Sequence, residues 1–462
     1  MGEREDAMFK TTGSKWLVPV SGYLGLSLDQ VNFLACQLFA LVAAFWFRLY
    51  LSHASSIVRH AVATLLGIFF LFFCFGWYSA HILAVVAVNY SFIIKADLNN
   101  VHRYSMVTAM GYLTACHVSR VFIFNYGILS TDFSGPLMIV TQKITTLAFQ
   151  LHDVYNLTLS FNVTSVTGGS RAKLLLCYLK RSSNTVCRKL LVCCGCMFLF
   201  IVISRSLPIT YNADNHFVGH ASFLTRLTYA FFSIQAARPK FYFAWTLADA
   251  VNNAAGYGFL GMDESGKPSW DLVSNLNIIG IETATSFKTF IDNWNIQTGI
   301  WLKTVCYDRA PKHRLPLTFI LSALWHGVYP GYYFTFLTAI PITIAARAIR
   351  RSIRHYFIDS RVLKLGYDIV TWAATQLAIC YTVMPFLLLS VDHTIVYYRS
   401  MYFHVHIISI LAAVALHRKH KPREASAANN SAPPVSLSSS SSTAARPAQC
   451  QPVLSNNNDK VN

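Results

Sequence analysis

Hydrophobic runs separated by short polar stretches make up most of this chain, and several are long enough to cross a membrane. A spanning helix needs about 20 apolar residues. The good candidates are the runs 31–47, 61–78, 190–204, 369–391 and 401–416. Others are shorter or more polar, namely 82–94, 104–118, 221–237, 241–255, 317–329 and 332–346. The pattern predicts about ten transmembrane or re-entrant helices.

Composition supports this interpretation, because the 462 residues are 54% hydrophobic and only 13% charged. A soluble domain carries about 25% charged residues. Polar groups at membrane depth need partners inside the protein or in a wet cavity. We therefore expect an all-α polytopic membrane protein whose helices surround an intramembrane chamber.

The net charge of +18 would suit nucleic-acid binding, but the basic residues lie at the edges of apolar runs. Examples are "RAIRRSIRH" at 347–355 and "HRKHKPR" at 417–423. Such clusters are typical of cytosolic membrane flanks and favour contact with anionic lipids or a polyanionic substrate. We expect membrane lipid, and no nucleic acid, as a partner.

The chain divides by composition into a multi-helix membrane domain, 1–416, and a tail, 417–462. The tail is basic and then Ser-rich, so we expect it to be disordered and cytosolic. Within the domain, 153–189 has no clear period and forms an atypical segment whose basic residues favour the cytosol. The cysteines of "CCGC" at 193–196 lie in an apolar run without histidines nearby, so we predict neither a metal site nor disulfides.

A histidine interrupts one apolar run, "LSALWHGVYPG", where His326 follows Trp325 and precedes two glycines four residues apart. An intramembrane ionisable residue is a functional candidate, and histidine suits proton transfer near neutral pH. The alternative is a histidine bonded to a neighbouring helix, with the glycines allowing close packing.

Asparagines mark the second unusual stretch, "DNWNIQTGIWLKTVCYDR" at 292–309, which contains Asn293, Trp294 and Asn295. Asparagine donates and accepts hydrogen bonds, so it can orient a hydroxyl or donate to a developing oxyanion. The alternative is a capping turn in which Trp294 and Trp301 lie at head-group level.

A third polar set, Asp249, Asn252 and Asn253, occurs within an apolar helix at spacing i, i+3, i+4 and should share one face. It either lines the same chamber or forms a buried hydrogen-bond network between helices. Histidine and asparagine together suggest acyl transfer, because an alcohol needs a base to attack a thioester and the tetrahedral intermediate needs donors. A site inside the membrane also excludes water.

The motifs "WNIQTGIWLKTVCYDR" and "TFILSALWHGVYPGYY" resemble the membrane-bound O-acyltransferase family, and within it the lysophospholipid acyltransferase 1 and 2 subgroup, closest to the first. "LDQVNFLACQLFALVAAFWFR" (28–48) and "YFAWTLADAVNNAAG" (242–256) carry the same resemblance. It extends over residues 28–153 and 190–416.

The resemblance implies transfer of an acyl group from long-chain acyl-coenzyme A, a co-substrate rather than a cofactor, to a lysophospholipid. The expected acceptors are lysophosphatidylserine and lysophosphatidylethanolamine, in a multi-pass protein of the endoplasmic reticulum. The catalytic pair of the family corresponds to Asn295 and His326, which implies a general base and a positioning or oxyanion group.

One segment departs from the family pattern. After Asp153 the family continues with a tyrosine-rich helix that helps to build the reaction chamber, whereas this chain has the atypical segment. A catalytically impaired family member is therefore an alternative. A lipid transporter or scramblase that uses the polar helix faces is another.

Overall fold

The computed structural model describes residues 13–123, 133–160, 171–204, 206–262 and 268–418, and the side chains of residues 123, 156–183, 417 and 418 are not described. The predicted tail from residue 419 onwards and residues 161–170 of the atypical segment lie outside this part. The helices are α1 Val18–Leu24, α2 Leu28–Leu51, α3 Ser56–Phe75, α4 Ser79–Lys95, α5 Val101–Ile123, α6 Ser134–Ser160, α7 Arg171–Ser204, α8 Asn215–His220, α9 Phe223–Ala255, α10 Ile278–Glu282, α11 Phe287–Asn293, α12 Ile296–Leu302, α13 Arg314–His326, α14 Pro330–Ile353, α15 Arg361–Leu388, α16 Val391–Ser400 and α17 His404–Arg418. A two-residue hairpin pairs β1 Gly261–Met262 with β2 Pro268–Ser269.

The predicted all-α membrane architecture is confirmed, although fewer helices than predicted have the length and apolar character of a full span. In the described ranges these spans are Leu28–Leu51, Ser56–Lys95, Asn184–Ser204, Pro330–Tyr356 and Arg361–Leu388. A bent pair, Val391–Ser400 and His404–Leu416, makes six if it crosses as one span. The other predicted runs are helical but shorter or more polar, as expected of helices that pack inside a bundle.

Two predicted runs, 221–237 and 241–255, are one continuous helix, α9, despite Pro239 in its interior. Proline removes one backbone hydrogen bond, but contacts on both sides of it hold the helix. Arg238 donates to Glu282 at 3.0 Å and to Gln376 at 3.0 Å, and the Tyr242 hydroxyl donates to Glu282 at 2.5 Å. Glu282 thus holds α9 one residue before and three residues after the proline.

The largest core cluster lies between the N-terminal helices and the segment that contains the two motifs. Leu113 of α5 and Leu137 of α6 are fully buried there, in contact with the cluster that includes Trp301 and Trp325. Trp301 and Trp325, which belong to the two motifs, are therefore part of the largest apolar cluster in the described bundle.

Candidate active site

The backbone turns sharply at Asn295, between the end of α11 and the start of α12. Asn295 adopts φ 50° and ψ 52°, the left-handed region, which asparagine tolerates better than most residues. An asparagine at position 295 is thus favoured by the backbone conformation, in addition to the chemistry predicted for its side chain. The turn lets α12 begin in a new direction directly after Trp294.

The segment before α10 fixes this turn through the backbone. Ile296 N–H donates to the Asn275 carbonyl at 3.0 Å, and Asn277 N–H donates to the Asn293 carbonyl at 3.1 Å. Leu276 and Trp294 form an antiparallel bridge between these bonds. The position of Asn295 therefore depends on residues about 20 positions earlier in the chain.

A hydrogen bond to the side-chain oxygen of Asn295 fixes the orientation of its carboxamide, and a second bond holds the donor in place. The Thr298 hydroxyl donates to Asn295 Oδ1 at 2.8 Å, and Gln142 Nε2 donates to the Thr298 oxygen at 2.9 Å. Gln142 and Thr298 are buried. Within the described residues Asn295 Nδ2 makes no hydrogen bond, so its two N–H groups are available to a ligand.

His326 is the last residue of α13, and the chain leaves the helix at Gly327 with φ 134°. A Cβ on Gly327 would lie 3.3 Å from His117 Nδ1, and one on Gly331 would lie 2.1 Å from the Pro385 carbonyl oxygen. The two glycines therefore permit close packing, and Gly331 brings the start of α14 against the end of α15.

Aromatic rings surround the half-buried His326 imidazole. Its centroid lies 4.6 Å from the Trp325 ring, 4.9 Å from Phe386, 5.3 Å from Phe336 and 5.7 Å from Tyr332. No described side chain or backbone group forms a hydrogen bond with either ring nitrogen. The alternative of a histidine bonded to a neighbouring helix is thus not what this part of the structure shows.

Two tryptophans join α12 to α13. The rings of Trp301 and Trp325, both 3% exposed, lie 5.9 Å apart. Trp301 Nε1 donates to the Thr145 hydroxyl at 3.0 Å, and Trp325 Nε1 donates to the Met138 carbonyl at 3.1 Å. Trp301 therefore packs inside the protein, which corrects the head-group alternative for this residue.

One helix supports both candidates. Met138, Gln142 and Thr145 of α6 follow at spacing i, i+4, i+7, so they share one helical face. That face bonds Trp325, Thr298 and Trp301, and thus fixes α13 and α12 together. Asn295 and His326 lie at the start of one of these helices and at the end of the other.

Comparisons with known proteins identify the family. The membrane-bound O-acyltransferase family model matches residues 169–387. The chain is 51% identical to membrane-bound glycerophospholipid O-acyltransferase 1 of Mus musculus, over 92% of this chain and 97% of the relative. This chain belongs to the membrane-bound O-acyltransferase family.

Two further relatives place this O-acyltransferase within the family. Identity is 48% to membrane-bound glycerophospholipid O-acyltransferase 2 of Rattus norvegicus, over 92% of each chain. It is 34% to lysophospholipid acyltransferase 6 of Drosophila melanogaster, over 87% of this chain and 63% of the relative. The predicted family and subgroup are confirmed, and with them the prediction of an acyltransferase.

Asn293 and Trp294 precede Asn295 in this O-acyltransferase, and their side chains contact neighbouring protein groups. Asn293 Nδ2 donates to the Thr289 carbonyl at 2.7 Å, within α11. Trp294 is half-buried and packs against the rings of Phe290 at 6.1 Å and Trp245 at 5.4 Å. In this structure both residues stabilise the turn.

The three polar residues of α9 do not share one environment. Asp249 and Asn253 are buried, whereas Asn252 is exposed and donates to the Ala248 carbonyl in its own helix. Asp249 accepts from Lys189 Nζ at 2.7 Å and from the Ser274 hydroxyl at 2.6 Å. The expected common face is therefore limited to Asp249 and Asn253, in a buried network between helices.

Lys189 belongs to the atypical segment, whose basic residues led us to expect a cytosolic position. For this residue the structure gives a different reason for the positive charge. Its side chain is 11% exposed and forms an ion pair with Asp249, which is 8% exposed. This one cation of the segment is a structural partner in the bundle. The charge of Lys189 therefore does not indicate which side of the membrane the segment faces.

Removal of the Lys189 charge should destabilise the fold. Breaking a buried ion pair by deleting one partner costs about 3–5 kcal/mol, because the other charge stays buried. We expect Lys189→Met to lower the midpoint of thermal unfolding in detergent clearly. The double variant Lys189→Met with Asp249→Leu should recover much of the loss.

An exposed ion pair provides the control for this prediction. Lys288 and Asp292 are 64% and 51% exposed at spacing i, i+4, and such pairs contribute about 0.2–0.5 kcal/mol. Lys288→Met should leave the midpoint almost unchanged. Equal shifts for Lys189→Met and Lys288→Met would contradict the buried-pair interpretation.

Sequence reasoning missed the residues that orient the candidates, chiefly Gln142, Thr145, Thr298 and His117. His117 Nε2 lies 3.3 Å from the Trp325 carbonyl oxygen and is 3% exposed. Gln142 and Thr145 lie among other polar residues in "VTQKITT" at 140–146, so nothing in the sequence singles them out. In the described ranges no group of His, Cys, Asp and Glu side chains has the geometry of a metal site.

Proposed function

We propose that this O-acyltransferase transfers an acyl group from long-chain acyl-coenzyme A to the free glycerol hydroxyl of a lysophospholipid. The observation that supports this most is that Asn295 Nδ2 and the His326 ring nitrogens form no hydrogen bond with a described residue, although both residues lie at ends of helices that α6 fixes to each other. The names of its relatives, glycerophospholipid O-acyltransferase and lysophospholipid acyltransferase, supply the acceptor class.

In the proposed reaction a His326 ring nitrogen accepts the proton of the lysolipid hydroxyl. The hydroxyl oxygen attacks the thioester carbonyl and forms a tetrahedral intermediate, whose oxyanion accepts a hydrogen bond from Asn295 Nδ2. The intermediate then expels the coenzyme A thiolate, and the imidazolium returns its proton to that sulfur. The aromatic rings around His326 exclude water that would otherwise hydrolyse the thioester.

Charge supports an approach of coenzyme A along the turn between α12 and α13. Lys303, Lys312 and Arg314 are exposed there and suit its phosphates. Arg309 contributes less to this charge than the other three residues, because it donates to Asp153 at 2.6 Å. The 13 residues of α13 then leave roughly 20 Å between the phosphates and His326, a distance for the flexible arm of coenzyme A to span.

We further propose lysophosphatidylserine and lysophosphatidylethanolamine as acceptors and the endoplasmic reticulum membrane as the location. These choices rest on the family resemblance. The test is acyl transfer in microsomes from cells that express the chain, given labelled oleoyl-coenzyme A and lysolipids with serine, ethanolamine, choline or inositol head groups.

We expect product from the serine and ethanolamine acceptors well above that of microsomes from cells without the chain. Preference for another head group would contradict the acceptor assignment but keep the reaction. Folded protein without transfer to any lysolipid would contradict the reaction and favour the impaired alternative.

A further inference from the structure

The corner between α2 and α3 contains a cavity of about 230 Å³ with a cationic lining. Five polar lining side chains come from the end of α2 and the start of α3, namely Arg48, Ser52, Ser56, Arg59 and His60, and the phenol of Tyr257 is contributed from beyond the end of α9. No carboxylate is found among the described residues that line it. None of the lining residues belongs to the Asn295–His326 site.

Two buried donors at this cavity lack a partner in the described part of the chain. Trp270 lines the cavity and is 5% exposed, and its indole Nε1–H makes no hydrogen bond. The Nε–H of Arg59 is also buried and unbonded. Buried donors are rarely left unsatisfied, because each costs about 1–3 kcal/mol, more when charged. Donors together with positive charge indicate an anionic, acceptor-rich ligand.

The position of the cavity identifies the ligand class further. The 24 residues of α2 are about 36 Å long, enough to cross the hydrocarbon layer, so the corner after Leu51 lies at head-group level. Basic pockets between the ends of spanning helices bind anionic lipid head groups. The N-terminus of the 20-residue α3 adds partial positive charge at the same corner.

We propose that this cavity binds the phosphate group of an anionic phospholipid, at a site separate from the acyl-transfer site. The phosphate oxygens accept from Arg59 Nε and Trp270 Nε1, and the side chains of Arg48 and His60 line the same cavity. The aromatic rings of Phe47 and Tyr257, 6.3 Å apart, give the glycerol backbone an apolar wall.

A lipid bound here would also stabilise the segment that supports the catalytic turn. The Trp270 carbonyl accepts from Asn253 Nδ2 at 3.2 Å, and five residues later the Asn275 carbonyl accepts from Ile296 N–H. A ligand that fixes Trp270 therefore restrains the start of a short segment whose far end fixes the turn.

The test uses the delipidated full chain in detergent and native mass spectrometry. Equimolar dioleoyl phosphatidylglycerol and phosphatidylcholine compete for binding, and we expect preferential retention of the anionic lipid. Arg59→Gln and Trp270→Phe should each lower its apparent affinity roughly tenfold, the effect of losing one charge-assisted hydrogen bond. Trp270→Phe keeps an aromatic ring against Phe259, so folding is preserved.

The matched control is Arg361→Gln, which removes an exposed cation at the start of α15, outside the cavity. An equal loss of lipid in this variant would overturn the proposal, since general surface charge would explain binding. Equal retention of phosphatidylcholine would also overturn it. A further arm adds inorganic phosphate alone. If millimolar phosphate displaces the lipid and binds as tightly, the site takes free phosphate and the lipid assignment fails.

Discussion

Replacement of His326 by glutamine is expected to lower kcat by about 10²- to 10⁴-fold, the usual contribution of a general base. Glutamine keeps a polar side chain of similar size among the rings of Trp325, Phe336 and Phe386, so the surrounding packing is retained. It cannot accept and return a proton near neutral pH. The measurement is initial rate at saturating acyl-coenzyme A and lysolipid with purified protein.

An exposed histidine separates this effect from general damage. His220 lies on the surface at the end of α8, and His220→Gln should retain the parental rate. If His326→Gln, with an unchanged unfolding midpoint, keeps the full rate, then His326 is not the base. The thioester would then have to be attacked with the help of another group.

Replacement of Asn295 by glycine is expected to lower kcat by about 10²- to 10³-fold, the typical loss of one oxyanion donor. Glycine adopts the positive φ of this turn without strain, so the substitution removes the carboxamide and keeps the backbone. Asn295→Asp also tolerates the turn but puts an acceptor where the N–H donor stood. It should be at least as damaging, because a carboxylate repels the developing oxyanion.

A neighbouring substitution tests whether orientation matters. Thr298→Val removes the hydroxyl that donates to Asn295 Oδ1 while it keeps the shape of the side chain. We expect a smaller loss in kcat, roughly tenfold, with KM for the lysolipid unchanged, because the donor remains but is less well directed.

The prediction for Asn295→Gly has a clear contradicting outcome. A rate for Asn295→Gly equal to that of the parental chain would exclude the carboxamide from the reaction.

The same helix links these two predictions. Gln142 of α6 orients Thr298 and so Asn295, while Met138 and Thr145 hold the two tryptophans beside them. The α6 face should therefore help to position both candidate residues.

Much of this was predictable because it depends on local chemistry. Long apolar runs must form helices in a membrane, since every backbone polar group needs a partner there. Asn295 and His326 stand out because polar side chains in apolar surroundings are costly. The family followed from those residues and their neighbours.

Other features were not predictable from local patterns. The separate runs 221–237 and 241–255 suggested two helices, yet the tertiary contacts of Glu282 hold α9 as one helix across Pro239. The basic residue Lys189 suggested a cytosolic flank, yet it pairs with Asp249 from a helix 60 positions later. Trp301 suggested an interfacial anchor, yet it is buried against Thr145.

The sequence by itself determined the class of molecule, the approximate helices and the two candidate residues, because hydrophobicity and residue chemistry act within a few positions of the chain. Only the tertiary structure decided which groups are engaged. Gln142 and Thr298 come together from positions 156 residues apart, and they leave Asn295 Nδ2 rather than Oδ1 free to act. Hydrogen bonds of this kind depend on which helix faces meet, and that is a property of the packed bundle.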